Sequence, residues 1–399
     1  MFHKQDKKRE SFMLTGPFAY QGYDWWWHSF TAIHEESGEE KPFFIEYYLC
    51  NPALGGKEPI LGQLPENKKA KKKPSYLMVK AGCWGEEHMQ LHRFIGWDHV
   101  ILNQPEEASL YSYAKRYKKK GFFRKKESSF SIKAHDCYVD SHRMLGKIEI
   151  SREECQAHPE WMCDAGSMEW NLQVDKKIAF NVGYGASTLF RFLKAFEMYW
   201  HAEGMKTEYS GSILLNGERY LVKPESSYGY ADKNWGRNFT SPWLWLSSNC
   251  MKSRITGQVL KNSVFDIGGG RPKVFFLPLD RKLLGAFWYE GKEYEYNFSK
   301  IWMAPSTRFQ CRETDKEIQW HVIQENRHSL METMVTCQKK DMLLVNYEAP
   351  DGKKRHNRLW NGGNGIGRIR LYDKKEKGLS LIDDIEVSHI GCEYGEYTC

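Results

Sequence analysis

Most of the chain reads as short runs of alternating or aromatic residues, interrupted every 8 to 15 positions by Gly, Asn, Asp or Pro. In the first half such runs occupy Phe43 to Leu49, Ser128 to Ala134, Lys147 to Ser151 and Ser167 to Val174. They continue at Ser210 to Leu215, Glu218 to Val222, Trp243 to Ser247, Lys273 to Leu277, Leu284 to Tyr289 and Lys292 to Phe298. The last are Ile318 to Ile323, Met331 to Cys337, Gly367 to Tyr372 and Leu381 to Glu386. Such runs bounded by turn formers predict antiparallel strands joined as meanders. Asn216-Gly217 and Glu290-Gly291-Lys292 each lie between two such runs and predict hairpin turns. A helical period is held best at Pro105 to Lys119 and Thr188 to Trp200, too little helix to cover a parallel sheet. The expected fold is all-β, with two closed or nearly closed β units over residues 1–200 and 201–399.

The 399 residues suffice for two or three domains, and with 41% hydrophobic and 27% charged residues the chain can bury a sizeable core. Aromatic residues reach 15%, which favours strands and large apolar pockets. No run approaches about 18 consecutive apolar residues, which excludes a membrane-spanning helix. The net charge of +7 is local. Residues 68–73 carry five bases and residues 115–126 carry eight, with no acid in either, so the remainder is mildly acidic. That pattern argues against a nucleic-acid binder. Between Lys115 and Lys126 the rings of Tyr117, Phe122 and Phe123 interleave with the bases, a composition suited to an anionic membrane surface. A solvated lysine-rich loop is the plainer reading. Ten cysteines without a CxxC pair and a charged N-terminus without an apolar stretch predict free thiols and a cytoplasmic protein, with peripheral membrane contact through the second basic run.

The densest chemistry lies between Ser227 and Asn249, where Trp235, Trp243 and Trp245 stand near Asp232, Lys233 and Asn234. An acid, a cation and an amide beside indole faces could protonate an alkene and shelter the carbocation. A Trp-rich barrel closure around a satisfied ion pair would have the same composition. In a strand Asp232 and Lys233 would face opposite ways, while Trp243 and Trp245 would share a face. Three other clusters carry less. His88 and His92 suit a metal on a helix but stand about 13 Å apart in a strand. Gly362 to Gly367 superficially suggests a phosphate loop but lacks the strand-then-helix context, and reads as a β-turn cluster. His135, Asp136 and Cys137 are adjacent in sequence, whereas a triad converges from separate elements. No metal site is expected.

The string Tyr-Ala-Asp-Lys-Asn-Trp-Gly at 230–236, followed by Trp243-Leu244-Trp245 and Ser248-Asn249-Cys250, resembles the signature segment of the tocopherol cyclase family. Asn216 to Tyr220 resembles the hairpin before that signature. Asp24 to Pro52, with Trp25-Trp26-Trp27 and Cys50-Asn51-Pro52, resembles the family's opening segment, and Gly365 to Tyr397 its closing strands. The resemblance implies a lipocalin-like architecture shared with carotenoid 1,2-hydratases and fungal Diels–Alderase-like cyclases. It also implies acid-catalysed, cofactor-free cyclisation of a prenylated or polyene substrate in an apolar pocket. Asp232 stands where plant cyclases carry Glu, and Lys233 where the hydratases carry His. Asp232 is the expected proton donor, with Asp266 and Glu46 as competitors; Lys233 and Asn234 complete the catalytic set. Trp235, Trp243, Trp245, Tyr230, Trp26 and Glu46 are expected to line the substrate pocket. The alternative is a lipocalin-like carrier that binds a lipid or isoprenoid without transforming it, for which Asp232 would lie on the outer surface.

Overall fold

A computed structural model describes residues 10–396 apart from 104–129, 181–195, 241, 272, 275–276, 279–281 and 354–357. Twelve strands build the first sheet: β1 (Tyr23–His34), β2 (Glu40–Cys50), β3 (Tyr76–Cys83), β4 (Met89–Ile95), β5 (Val100–Asn103), β6 (Ser131–Ala134), β7 (Cys137–Asp140), β8 (Arg143–Ile150), β9 (Gly166–Phe180), β10 (Met198–Leu215), β11 (Glu218–Val222) and β12 (Gly229–Gly236). The second sheet holds eleven: β13 (Trp243–Ser248), β14 (Cys250–Ser253), β15 (Val264–Gly270), β18 (Lys282–Tyr289), β19 (Lys292–Tyr296), β20 (Ser306–Glu313), β21 (Glu317–Glu325), β22 (Ser329–Gln338), β23 (Met342–Val345), β24 (Arg358–Lys375) and β25 (Gly378–Glu396). A separate ribbon pairs β16 (Lys273–Val274) with β17 (Leu277–Pro278). Among the described residues the α-helices are short, such as Arg152–Ala157, whose Ser151 and Glu154 form a capping box. The protein is all-β, and its sheets curl into a barrel and a half-barrel.

Local sequence explains the hairpins. Asn216 and Gly217 both take positive φ (50° and 91°), as do Glu290 and Gly291 (42° and 93°), the geometry that lets a two-residue turn match strand twist. In the first sheet β1 pairs with β2 on one side and with β12 and then β11 on the other. The changeover between sheets falls between Gly236 and Trp243, not at residue 200, because β10 runs through that position and pairs with β9, β11 and β12.

Two expectations meet the structure differently, and two others lie outside the described residues. The helix expected over Thr188 to Trp200 ends in strand, since Met198–Trp200 opens β10; the rest of that span lies outside the described residues. The basic run Lys115 to Lys126 and the helix expected over Pro105 to Lys119 also lie outside them. Gly362 to Gly367 is not a turn. It sits inside β24, where the register against β25 shifts between Gly362 and Gly365 and again before Gly367. Glycines there mark bulges.

Candidate active site

β12 is buried along its whole length, and the period of two sorts its side chains between two interiors. Asp232 and Asn234 point between the two sheets, into a cavity they share with Trp25 and Trp27 of β1, Trp243 and Trp245 of β13, and Glu393 of β25. Tyr23, Met198, Phe239 and Leu359 complete the lining. As closed here the cavity leaves about 40 Å³ for the centres of water-sized molecules. That admits a few waters, and a larger ligand requires lining side chains to move.

Lys233 points the other way. Its ammonium meets Asp24 Oδ1 at 2.5 Å and lies 4.2 Å from the centre of the Trp26 ring and 4.9 Å from that of Trp235. Asp24 also accepts the Met13 N–H. Trp26 stacks on Phe130 with 5.0 Å between ring centres, and Trp235 stacks on Tyr199 at 5.6 Å. Lys233, Trp26 and Trp235 therefore belong to the interior of the first sheet, and the structure does not bring them to the cavity.

Behind Asp232 the structure assembles a chain of acids. Asp232 Oδ2 accepts Trp200 Nε1–H at 2.7 Å and lies 3.1 Å from the Tyr230 hydroxyl. That hydroxyl is also 3.0 Å from Asp266 Oδ2, while Asp266 Oδ1 accepts Trp245 Nε1–H at 3.1 Å. A phenol has one proton to donate, so it serves one carboxylate at a time. For both contacts to be hydrogen bonds, the other carboxyl must itself carry a proton and donate to the phenol oxygen. Burial agrees: it pushes Asp232 up to about 8 and holds Asp266 well above the usual carboxylate range, helped by the Asp232 charge. Tyr230 stays protonated for the same reasons. Asp232 Oδ1 and Asn234 Oδ1 are buried oxygens without a hydrogen-bond partner.

Two further buried acids flank this unit. Glu393 accepts Trp243 Nε1–H at 2.7 Å and Asn361 Nδ2–H at 2.5 Å, and burial raises its pKa. Glu46 accepts the Tyr347 hydroxyl at 2.9 Å, and Lys80 donates to that same hydroxyl at 3.2 Å. Burial raises Glu46 to about 7 against the opposing pull of Lys80. Glu46 does not line the cavity. It stands on the same sheet face one strand beyond Trp27, in a register row that runs Asp232, Trp27, Glu46, Lys80, His92 across β12, β1, β2, β3 and β4.

A family model described as tocopherol cyclase-like matches residues 89–396, which takes in β12, β13, β15 and β25 and every acid of the cavity. The chain belongs to the tocopherol cyclase-like family. No curated protein sequence matches it. Among solved structures, kievitone hydratase from Nectria haematococca aligns over 98% of this chain and 92% of its own, at 10% identity and a TM-score of 0.46. A structure named as AttH, from Nitrosomonas europaea, aligns over 97% and 98% at 10% identity and a TM-score of 0.45.

In this tocopherol cyclase-like chain the sequence-predicted residues divide cleanly. Asp232, Asn234, Trp243 and Trp245 line the cavity; Asp266 and Tyr230 back it; Lys233, Trp26, Trp235 and Glu46 lie elsewhere. Sequence reasoning missed Trp200, Glu393 and Asn361. Trp200 sat in a stretch read as helix, and Glu393 lies 150 residues from the indole it accepts. His88 is exposed, whereas His92 is buried against the Trp161 carbonyl at 2.6 Å. Among the described residues no group of three His, Cys, Asp or Glu side chains is arranged to hold a metal.

Proposed function

We propose that this chain catalyses acid-initiated, cofactor-free cyclisation of a prenylated or polyene substrate in the cavity between its sheets. The carrying observation is the Asp266–Tyr230–Asp232 unit, two carboxyls bridged by one phenol, which requires a stored proton next to an aromatic cavity. The match of residues 89–396 to the tocopherol cyclase-like family supports the same reading. Asp232, whose Oδ1 is unpartnered, delivers a proton to an alkene carbon, and the positive charge forms on the more substituted neighbour. The faces of Trp25, Trp27, Trp243 and Trp245 attract that charge in a site poor in water. A substrate oxygen, oriented on Asn234 Oδ1, captures the cation, and its proton returns to the Asp232 carboxylate. The substrate gains and loses one proton, so the product is an isomer. The Asp232 carboxyl is thereby regenerated within each turnover, and Tyr230 links it to Asp266 throughout. The Asp232 carboxyl lies inside the cavity, not on the outer surface that a carrier would have favoured.

The test is incubation of the purified protein with prenylated hydroquinones and linear polyenes, with mass-neutral products separated by chromatography. Wild type should form a ring-closed isomer, and Asp232→Asn should lose about 10²- to 10⁴-fold in rate. Unchanged turnover in the variant would remove Asp232 as the acid. Extraction of the native protein with organic solvent, followed by mass spectrometry, identifies which substrate class to try first.

A further inference from the structure

Away from the cavity, at one of the contacts between the two sheets, a cysteine is held in an arrangement that core packing does not require. Cys250 opens β14, directly opposite Ser388 of β25. The Ser388 hydroxyl is 3.2 Å from Cys250 Sγ and 3.3 Å from His389 Nδ1. The other imidazole nitrogen, His389 Nε2, lies 2.9 Å from Glu40 Oε2 of β2. The ring of Tyr228 covers the imidazole, with centres 4.3 Å apart. Cys250 is partly exposed, and no disulfide occupies it.

The backbone is bent to make this arrangement. Pairing of β24 with β25 steps from Gly365–Ile390 to Gly367–Val387, so Ser388 and His389 together oppose one residue. His389 sits in that bulge at φ 50°, and Tyr228 at φ 43°, a region where a side chain costs free energy that glycine would avoid. Bulges re-aim side chains, and strained non-glycine residues persist where the surroundings over-determine them. Here a thiol, an imidazole and a carboxylate from three strands converge in the order nucleophile, base and orienting acid.

We propose that Cys250 is a thiolate nucleophile, held by His389 and Glu40, and a site of reversible modification by low-molecular-weight disulfides. The thiol proton resides on His389, whose imidazolium is held by Glu40. The thiolate attacks one sulfur of the small disulfide; that S–S bond breaks and a mixed disulfide forms on Cys250. The departing thiolate takes its proton from the imidazolium. Electrostatics agree with the geometry: contact with His389 and Ser388 lowers the Cys250 pKa against the effect of burial, and contact with Cys250 and Glu40 raises that of His389. The groups facing the thiol are His389 and Tyr228, with Glu40 behind His389. This inference is independent of the cyclase reading, because none of these residues lines the cavity.

The experiment is limiting alkylation of the native protein with iodoacetamide from pH 6 to 9, with peptide mapping of every cysteine. Cys155, which is also partly exposed, is the internal reference. At pH 7 an ordinary thiol is only a few per cent ionised, so Cys250 should react about tenfold faster than Cys155. Its rate should rise less steeply between pH 6 and 8 than that of Cys155. His389→Gln should remove that advantage and restore the pH dependence of a free thiol, and Glu40→Gln should reduce it by a smaller factor. Oxidised glutathione should add once, at Cys250, and dithiothreitol should reverse it. A Cys250 rate no greater than that of Cys155 overturns the proposal. So do rates unchanged by both substitutions, or glutathione addition elsewhere but not at Cys250. If His389→Gln does not fold, the exposed Glu40→Gln variant decides alone.

Discussion

Tyr230 stands between two carboxylates with a single proton to donate, and the behaviour of the site with pH follows from that shortage. Folding raises Asp232 from its ordinary value near 3.8 to about 8, so between these limits the folded state holds a proton that the unfolded chain releases. Stability therefore falls as pH rises through this window and levels off above it. Asp232→Asn abolishes that dependence at one site while Asp266, raised for the same reasons, keeps its share. Urea denaturation of the variant should show a shallower decline between pH 5 and 8, and at pH 8 the variant should be more stable than wild type by roughly a few kcal/mol. An identical slope in the two proteins would mean that Asp232 ionises freely in the fold. Catalysis has the same sign: the reactive form is the protonated one, so turnover should fall as pH rises past about 8. Asp232 was legible in the sequence because its aromatic neighbours are local in the chain. Glu393 was not, because its environment comes from β13 and β24, and no local composition reports a contact across 150 residues.

At the scale of the element, strand alternation decides which residues can act. Lys233 is adjacent to Asp232 in sequence, yet the pleat sends it to Asp24 on the far side of the sheet. The same rule divides the three tryptophans of β1, Trp25 and Trp27 to the cavity and Trp26 away from it. β1 and β12 were hard to recognise as strands because both of their faces are buried, so hydropathy does not alternate along them. β15 ends in Gly268-Gly269-Gly270, which serve close packing. A Cβ on Gly268 would stand 2.9 Å from the Trp200 ring, and one on Gly391 would stand 2.3 Å from the Trp245 ring. These two indoles donate to Asp232 and Asp266. Gly391→Ala should therefore cost about 1–3 kcal/mol of stability and lower turnover by displacing Trp245 from Asp266. Chemical denaturation and initial rates test this together; a variant with normal rates would show that the indole contact is dispensable.

For the whole molecule, the site exists only where the sheets meet, with Asp232 and Asn234 from one and Asp266, Trp243, Trp245 and Glu393 from the other. The all-β class was legible from turn spacing, whereas the changeover point was not, because β10 carries an unbroken strand through residue 200. A short segment after β23 fastens the halves. The Glu348 carboxylate accepts the backbone N–H groups of Gly62 and Gln63 and the Tyr76 hydroxyl, and the Glu348 carbonyl accepts the Tyr48 hydroxyl. Asn51 donates to the Pro350 carbonyl nearby. Glu348→Ala strands three partly buried donors at once, so the melting temperature should drop by an amount equivalent to about 3 kcal/mol. A drop equivalent to less than about 1 kcal/mol would show that water replaces the carboxylate easily.

Each carboxylate of the cavity is tied to an indole, Asp232 to Trp200, Asp266 to Trp245 and Glu393 to Trp243. An excited indole is sensitive to whether its nearest carboxyl is neutral or charged. The protein thus carries its own optical indicator. Its ultraviolet emission should change as the stored proton leaves, allowing the charge state of the site to be followed in real time, without label and before any substrate is known.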